Sequence, residues 1–209
     1  MKPIRIIIFA KAPQAGFAKT RLIPALGAAG AAALAHQMLL NTMREALSAN
    51  IGTLELCVTP AITDAAWHDV QIPNGFIISD QGDGDLGARL ARAAERALVQ
   101  QESVLLIGTD CVEMSADLLR DAARLLGEAD AVIHCTVDGG YALLGLNQFS
   151  PFLFNDMPWS TDAVAIRTLA HIGQLGWSVH VGQMLHDVDE AQDLKFLPSH
   201  MGASINSKH

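Results

Sequence analysis

The sequence predicts an α/β fold, a three-layer sandwich built around a mostly parallel sheet. Strand-like apolar runs alternate with helix-like segments along the chain, which is typical of a parallel sheet covered by helices on both faces. The run Val104–Ile107 is apolar at every position, as expected of a central strand buried on both sides. Half of the 209 residues are hydrophobic, so the chain can build the large core that this fold needs.

The predicted strands are short apolar or alternating runs that end at turn residues. They cover residues 3–9, 54–58, 76–78, 104–107, 131–137, 142–146 and 177–181. The fifth and sixth are joined through Gly139-Gly140 and form a hairpin, which adds one antiparallel element to the sheet.

The predicted helices carry apolar residues at helical spacing or begin at capping residues. Gly52 is expected to end the first helix, and Ser115 and Thr161 are expected to cap two others. The helices cover about 28–49, 63–68, 86–100, 115–126, 161–172 and 191–197, with a helical turn at 151–154. We expect a single domain over residues 1–197 and a flexible tail over 198–209.

Charge and cysteine content restrict the function. The net charge is −8, from 14 basic and 22 acidic residues, which argues against a nucleic-acid partner because phosphate backbones need a basic surface. A nucleotide is still allowed, since a metal ion can supply positive charge locally. The three cysteines fit no zinc or disulfide pattern and indicate a reducing, cytoplasmic location. We find no signal peptide and expect no membrane partner.

Carboxylates at two strand ends are the candidate metal ligands. Asp110 follows Val104–Ile107, and ligands of open parallel sheets bind beyond the carboxyl ends of the strands. Asp187 and Asp189 follow the last strand and point the same way if the segment is extended, so one of them could join Asp110 on a divalent ion. The alternatives are that Asp110 and Asp189 cap the helices that follow them and that Asp187 is a surface charge.

The loop after the first strand is a candidate anion site. Lys11, Lys19 and Arg21 could neutralise a diphosphate, and Gly16 lets the backbone approach it. Lys19-Thr20 looks like the end of a phosphate-binding loop, but Ala18 stands where that motif needs glycine. The alternative is a solvated basic loop.

A glycine-rich loop follows the third strand. Gly82, Gly84 and Gly87 match the dinucleotide fingerprint literally, but Asp83 and Asp85 would lie where a pyrophosphate binds, and the loop does not follow the first strand. We therefore expect the loop to lie near a ligand without binding nicotinamide. A plain turn is the alternative.

Two further segments are candidates for the acceptor side of a site. In Asp138-Gly139-Gly140-Tyr141 the glycines permit close approach, and Asp138 could accept a hydroxyl proton; a structural hairpin turn would explain the same residues. Trp159 precedes Ser160-Thr161, which from the sequence alone fits a helix cap with a hydrophobic staple.

Six motifs carry a resemblance to a known family. They are Phe9-Ala-Lys-Ala-Pro13 with Gly16 and Lys19-Thr-Arg-Leu22, Gln81-Gly-Asp-Gly-Asp-Leu-Gly87, Ile107-Gly-Thr-Asp-Cys111, Asp138-Gly-Gly-Tyr141, Trp159-Ser-Thr161 and His186-Asp-Val-Asp189. In this order, over about residues 4–197, the chain resembles the radical-SAM/selenodomain-associated transferases, a family of glycosyltransferase type. That family is similar to nucleotide-diphospho-sugar transferases of the GT-A fold and, more distantly, to nucleotidyltransferases that make guanylylated phospholactate or the molybdopterin guanine dinucleotide cofactor.

The resemblance implies a role for each motif. The metal, Mg²⁺ or Mn²⁺, would be held by Asp110 and Asp189, and the loop from Lys11 to Arg21 would hold the nucleotide. The motif residues expected near the donor or acceptor are Lys11, Gly16, Lys19, Arg21, Gly82, Asp85, Gly87, Gly139, Gly140, Tyr141 and Trp159, with Asp138 as the candidate catalytic base. The chain departs from the family pattern at Val112-Glu113 and at Glu190-Ala-Gln-Asp193.

The leading hypothesis is a metal-dependent glycosyltransferase that uses a nucleotide-activated donor and a small-molecule acceptor, and the chain could form a homodimer. The first alternative is a nucleotidyltransferase, in which a phosphorylated acceptor attacks a nucleoside triphosphate and pyrophosphate leaves. The second is a non-catalytic nucleotide-binding module.

Overall fold

A computed structural model describes residues 2–199 and 201. Within them lie seven strands and four α-helices: β1 Ile4–Lys11, α1 Ile23–Ala49, β2 Gly52–Thr59, β3 Phe76–Asp80, α2 Leu86–Val99, β4 Ser103–Ile107, α3 Ala116–Leu125, β5 Ala131–Cys135, β6 Tyr141–Leu146, α4 Val164–Gln174 and β7 Val179–Val181. Short 3₁₀ helices cover Thr20–Leu22, Ala65–Trp67, Pro151–Phe154 and Ala191–Phe196. The expected flexible tail, 198–209, falls mostly outside the described residues.

The seven strands form one sheet in the order β3-β2-β1-β4-β6-β5-β7. β1 pairs in parallel with both β2 and β4, whereas β6 runs antiparallel to its neighbours β4 and β5. The predicted mostly parallel sheet with one hairpin is therefore confirmed. Since β1 to β5 and β7 all point the same way, their carboxyl ends share one edge of the sheet, and the β5–β6 hairpin turn lies at that edge too.

Helices cover both faces of the sheet and complete the three layers. α1 and α3 pack on one face, where Met43 and Leu119 join Ile6 in one core cluster. α2 and α4 pack on the other, where Leu90 joins Ile7 in a second cluster. Consecutive residues of β1 thus serve opposite cores, as the two-residue period of a strand requires. Each such fully buried side chain contributes about 1.5–3 kcal/mol to folding.

The first helix begins and ends differently from the prediction. It starts at Ile23, and Gly27 breaks its regular geometry with φ +68°, so the regular part begins near residue 28 as expected. It ends because Asn50 adopts the left-handed conformation, not because of Gly52. Gly52 instead starts β2, where a side chain would lie 2.0 Å from the Ile4 carbonyl oxygen.

The helical segment Thr20–Ala49 is long and apolar enough, by length and composition, to cross a membrane, with a mean hydropathy of 1.4 in its most apolar window. In the structure, its side chains Leu39 and Met43 pack against the sheet. Burial against the sheet accounts for the apolar residues on that face of the helix.

The predicted cap at Thr161 is wrong. α4 begins at Val164, and its N-cap residue, Ala163, makes no side-chain capping bond. The Thr161 hydroxyl instead donates to the Pro158 carbonyl oxygen at 2.7 Å and closes the turn before the helix.

Candidate functional site

Two loops at the carboxyl edge of the sheet are joined by backbone contacts. Cys111, after β4, forms an antiparallel bridge with Asp187, and the Val188 N–H donates to the Asp110 carbonyl oxygen at 2.9 Å. Residues 108–111 and 185–189 therefore form one unit. Asp110 and Asp189 are carried on it as neighbours although they lie far apart in the sequence.

Lys19 connects the two candidate metal ligands. Its ammonium nitrogen lies 2.5 Å from Asp110 Oδ1 and 2.7 Å from Asp189 Oδ1. The Lys19 side chain is only 6% exposed, whereas the carboxylates are 46% and 37% exposed. Burial lowers the pKa of Lys19, but the two carboxylates more than offset this, and the pKa ends above its usual value. Lys19 is therefore a buried cation shared by two half-exposed anions.

Asp187 is a third carboxylate at this edge. Burial, together with the nearby charges of Asp110, Asp138 and Asp189, raises its pKa to about 7, although the Lys19 ammonium acts in the opposite direction. Asp187 thus experiences the charges of aspartates from three separate loops. The sequence indicated that Asp187 and Asp189 share a direction, but the expected site assigned no role to Asp187.

The structure excludes the capping alternatives for the two candidate ligands. Ser115 caps α3 by accepting from Leu118 N at 3.2 Å, so Asp110 does not. The last 3₁₀ helix is capped by Glu190 and Asp193, which satisfy each other's backbone N–H groups. Both Asp110 and Asp189 therefore keep their side chains for the cluster around Lys19.

The other basic residues of the first loop lie on the surface beside Lys19. Lys11 is exposed, and its ammonium donates to the Phe17 carbonyl oxygen at 2.7 Å, which folds the loop back on itself. Gly16 has φ +83° and open space around it, so an approaching ligand would meet backbone there. Arg21 is exposed in the 3₁₀ helix that follows.

The glycine-rich loop after β3 is a turn held by arginines of α2. Arg89 Nε donates to the Gly84 carbonyl oxygen at 2.9 Å, and Arg92 Nη2 donates to that of Asp83 at 2.9 Å. Gly82 has φ +70° and is exposed. Asp85 caps α2 by accepting from Ala88 N at 2.8 Å. Asp85 therefore has a structural role that the sequence analysis did not assign, beside the ligand role expected of it.

Gly87 and Trp159 meet in the packing between α2 and the segment before α4. A side chain at Gly87 would lie 2.7 Å from the Phe154 carbonyl oxygen and 2.9 Å from Trp159 Nε1. Trp159 itself packs against the second core cluster. Their contacts are with the protein, so the geometry supports a packing role for both.

The β5–β6 turn is fixed against the start of α4. Asp138 Oδ1 accepts from Thr136 Oγ1 at 2.5 Å and from Gly140 N at 3.1 Å. A side chain at Gly139 would lie 2.1 Å from the Asp162 carbonyl oxygen. Tyr141 packs against the second core cluster, and burial raises the pKa of its phenol. Asp138 therefore both closes the turn and presents its carboxylate to the acidic cluster.

One contact was not foreseen from the sequence. Glu113 Oε2 accepts from the backbone N–H of His186 at 2.7 Å and lies 3.1 Å from its ring Nδ1. The His186 ring also stacks on Phe196, with 4.0 Å between the ring centroids. Glu113, where the chain departs from the family pattern, thus anchors the loop that carries Asp187 and Asp189.

Asp110 and Asp189 supply part of the ligand set that a divalent ion needs. In residues 2–199 and 201, no three His, Cys, Asp or Glu side chains are arranged to hold a metal by themselves. Asp110 and Asp189 do share one cation through carboxylate oxygens, which are the ligands that Mg²⁺ and Mn²⁺ prefer. Mg²⁺ is commonly held by one or two carboxylates with phosphate and water as further ligands.

The charged edge is distinct from two grooves of the surface. One groove lies at the amino ends of the strands near Ser103 and Asn147, and another lies between α3 and β7 near His134 and His180. Neither is lined by a residue predicted for the site. The candidate site is therefore defined by the charged side chains that meet around Lys19.

Comparison with known proteins identifies the family. The DUF2064 family, described as uncharacterized protein conserved in bacteria, matches residues 42–161, more than half of the chain. The chain belongs to this family. No curated protein sequence matches it significantly.

Solved structures share the fold. A protein of Desulfovibrio desulfuricans G20, described as a candidate nucleotide-diphospho-sugar transferase, is 27% identical over 100% of this chain and 90% of its own, with a TM-score of 0.87. A cytidylyltransferase of Leptospira borgpetersenii is 13% identical over 100% and 98% of the two chains, with a TM-score of 0.59. Rv0371c of Mycobacterium tuberculosis H37Rv in complex with manganese is 18% identical over 94% and 98%, with a TM-score of 0.54. The fold is therefore that of nucleotide-diphospho-sugar transferase-like proteins.

Proposed function

We propose that the chain is a metal-dependent transferase that uses a nucleotide-activated donor and, more specifically, a glycosyltransferase acting on a small-molecule acceptor. The observation that carries the proposal is the cluster in which Asp110 and Asp189, from two joined loops, share the Lys19 ammonium. The similarity to the Desulfovibrio protein, which is described as a candidate for this class, supports it.

The donor would bind over the loop after β1. Exposed Lys11 and Arg21 supply fixed positive charge for a diphosphate, and the open backbone at Gly16 lets it approach. Asp110 and Asp189 would hold Mg²⁺ or Mn²⁺. When bound, such an ion offsets the charge that develops on a diphosphate leaving group. The manganese complex of Rv0371c, which has the same fold, supports an ion of this kind.

The acceptor would lie against the β5–β6 turn. Asp138 would take the proton of the attacking hydroxyl, and its bonds to Thr136 and Gly140 fix the direction of its carboxylate. Gly139 lets the turn pack against Asp162, where a side chain would lie 2.1 Å from the carbonyl oxygen, and Gly140 leaves room for the hydroxyl of Thr136. Tyr141 follows the turn, and its side chain packs against the second core cluster.

The charge of the acceptor side favours glycosyl transfer over nucleotidyl transfer. The Asp138 carboxylate there contributes, after burial and Asp110, to the raised pKa of Asp187. A phosphorylated acceptor, which nucleotidyl transfer requires, would bring two negative charges toward these carboxylates. A neutral hydroxyl acceptor meets no such repulsion.

Nucleotidyl transfer is the second candidate, because the cytidylyltransferase of Leptospira shares the fold over the whole chain. A cytoplasmic location is part of the proposal and is supported by the three free cysteines. Membership of the radical-SAM/selenodomain-associated transferases is proposed on the resemblance alone. A homodimer is proposed as well, independently of the resemblance.

A thermal-shift screen followed by turnover assays tests the proposal. Nucleoside di- and triphosphates and nucleotide sugars are added with and without Mn²⁺, and hits are assayed for release of nucleoside diphosphate or of pyrophosphate. The proposal predicts stabilisation by a nucleotide sugar that needs Mn²⁺, and release of nucleoside diphosphate. Release of pyrophosphate would establish the second candidate. Tight binding without any turnover would establish a binding module.

A further inference from the structure

We propose that Lys19 is an internal counter-cation that occupies the place between Asp110 and Asp189, so that a divalent ion binds tightly only together with a nucleotide that draws the ammonium onto its phosphates. This inference rests on the proposed metal-dependent function. It adds an order of binding and a second role for a residue that the sequence indicated only as a phosphate ligand.

The geometry of the three side chains carries the inference. The Lys19 nitrogen lies 2.5 Å from Asp110 Oδ1 and 2.7 Å from Asp189 Oδ1. Both contacts are charge-assisted hydrogen bonds, which are shorter and stronger than neutral ones. An ion bound between the same two oxygens would need the space and the lone pairs that the ammonium uses.

Electrostatics explains why Lys19 is held there. Two carboxylates that share a site repel each other, and the cost falls when a cation lies between them. The Lys19 side chain is only 6% exposed, so its charge depends on the two carboxylates for most of its stabilisation. Divalent and ammonium cations cannot both occupy this position, because like charges at ligand distance repel strongly.

The neighbouring loop offers the ammonium another partner. Lys19 is contiguous with the loop of Lys11 and Gly16, and a diphosphate bound there would present several anionic oxygens. Moving the ammonium onto these oxygens frees both carboxylates and leaves every charge paired. Without nucleotide, the same movement would leave a buried ammonium unpaired, which is costly.

Direct Mn²⁺ binding tests the order. Free Mn²⁺ is measured by electron paramagnetic resonance with wild-type protein, Lys19→Gln and the control Lys2→Gln, which removes a lysine charge outside the site, where Lys2 donates to the Asn147 carbonyl oxygen. Without nucleotide, we expect Lys19→Gln to bind Mn²⁺ about tenfold more tightly than wild type or more, since a competing cation has been removed. Lys2→Gln should bind Mn²⁺ like the wild type.

Melting temperature gives a second readout. Mn²⁺ alone should raise the melting temperature of Lys19→Gln and leave that of the wild type nearly unchanged. On the wild type, a nucleoside diphosphate such as UDP or GDP that binds in the thermal-shift screen should increase Mn²⁺ affinity by at least about tenfold. This last measurement needs no variant and keeps the test valid if Lys19→Gln does not fold.

The outcomes separate the two proposals. Equal Mn²⁺ affinity of wild type and a folded Lys19→Gln in the absence of nucleotide would overturn the counter-cation role while leaving a metal-dependent transferase intact. Equal Mn²⁺ affinity of wild type with and without nucleotide would overturn both proposals, because metal and nucleotide would then bind independently. No Mn²⁺ binding by any of the proteins, with or without nucleotide, would overturn the metal-dependent function itself.

Discussion

The backbone N–H of Val188 donates to the carbonyl oxygen of Asp110 at 2.9 Å. This bond fixes the loop after β7 against the loop after β4. Val188 is fully buried in a third core cluster beside Leu22 and Leu34, so the contact is held by packing as well as by hydrogen bonding. Asp189 is placed next to Asp110 because its neighbour in the sequence is anchored in this way.

Glu113 is predicted to anchor the same loop from the other side. In Glu113→Ala, the loss of its bonds to His186 should lower the free energy of unfolding by about 0.5–1.5 kcal/mol. Mn²⁺-dependent nucleotide binding should weaken several-fold, because residues 186–189 are less well fixed. Glu128→Ala, which removes a surface carboxylate paired with Arg124, is the control for calorimetric binding and urea unfolding. Equal effects of the two changes would contradict the anchoring role.

Asp187 is predicted to make stability depend on pH. Because its pKa is raised to about 7 in the folded protein, proton binding favours folding; this contribution is present below the pKa of an unfolded aspartate and is lost as the pH rises toward 7. Asp187→Asn mimics the protonated form. In EDTA, its melting temperature should exceed that of the wild type at pH 8, and the difference should shrink toward pH 4. A constant difference across this range would show that Asp187 does not titrate with folding.

Glu55 is predicted to be essential for stability. It is fully buried in β2, lies 2.9 Å from Arg5 Nη1 and also pairs with Arg96. Glu55→Gln leaves Arg96 without an anion and Arg5 with only Glu102, and should cost about 3–5 kcal/mol in urea unfolding. A cost below about 1 kcal/mol would mean that water or Glu102 replaces the lost charge.

The bonds of Glu55 also make the free energy of unfolding depend on pH in the acid range. Burial raises the pKa of Glu55, but its bonds to Ser79, Arg96 and Arg5 outweigh burial and hold the pKa below its usual value. The stabilisation is therefore present above the pKa of an unfolded glutamate and is lost as the pH falls through the folded value. The cost of Glu55→Gln should accordingly decrease at acid pH.

Gly139 is predicted to position the acceptor turn. In Gly139→Ala, the new methyl group would lie 2.1 Å from the Asp162 carbonyl oxygen, at a residue with φ +89°, so the turn must move away from α4. We expect loss of transferase activity and a lower melting temperature. Gly173→Ala is the control, since it lies in α4 with open space around it and should stabilise the protein by up to about 1 kcal/mol. Activity retained by Gly139→Ala would show that the turn does not position the acceptor.

The sequence predicts the order of the strands and helices well, because each buried strand is a compact apolar run such as Val104–Ile107. It predicts the ends of helices less well where two nearby residues could each begin or end the helix. Asn50 ends α1 although Gly52 follows two residues later, since the left-handed conformation is needed directly after Ala49. Thr161 resembles a cap but uses its hydroxyl in the preceding turn.

The site could be predicted in its residue types but not in its pairing. Asp110 and Lys19 were each identifiable from a strand end and a basic loop. Their contact with Asp189 could not be, because Lys19 and Asp189 lie 170 residues apart and meet only through the fold. The anchoring role of Glu113 could not be predicted either, because Glu113 and its partner His186 lie 73 residues apart in the sequence. The one available signal was its departure from the family pattern, which marked the place without indicating the contact.

The central claim is that Asp110 and Asp189 hold a divalent ion that binds a nucleotide-activated donor. Isothermal titration calorimetry with a nucleoside diphosphate that binds in the thermal-shift screen, with and without Mn²⁺, tests it most directly on wild type, Asp110→Asn and the control Asp138→Asn. We expect Mn²⁺ to strengthen wild-type and Asp138→Asn binding by at least about tenfold, and to have no effect on Asp110→Asn, because a neutral amide is a far weaker ligand than a carboxylate. Mn²⁺-dependent binding of equal strength in Asp110→Asn and wild type would contradict the account.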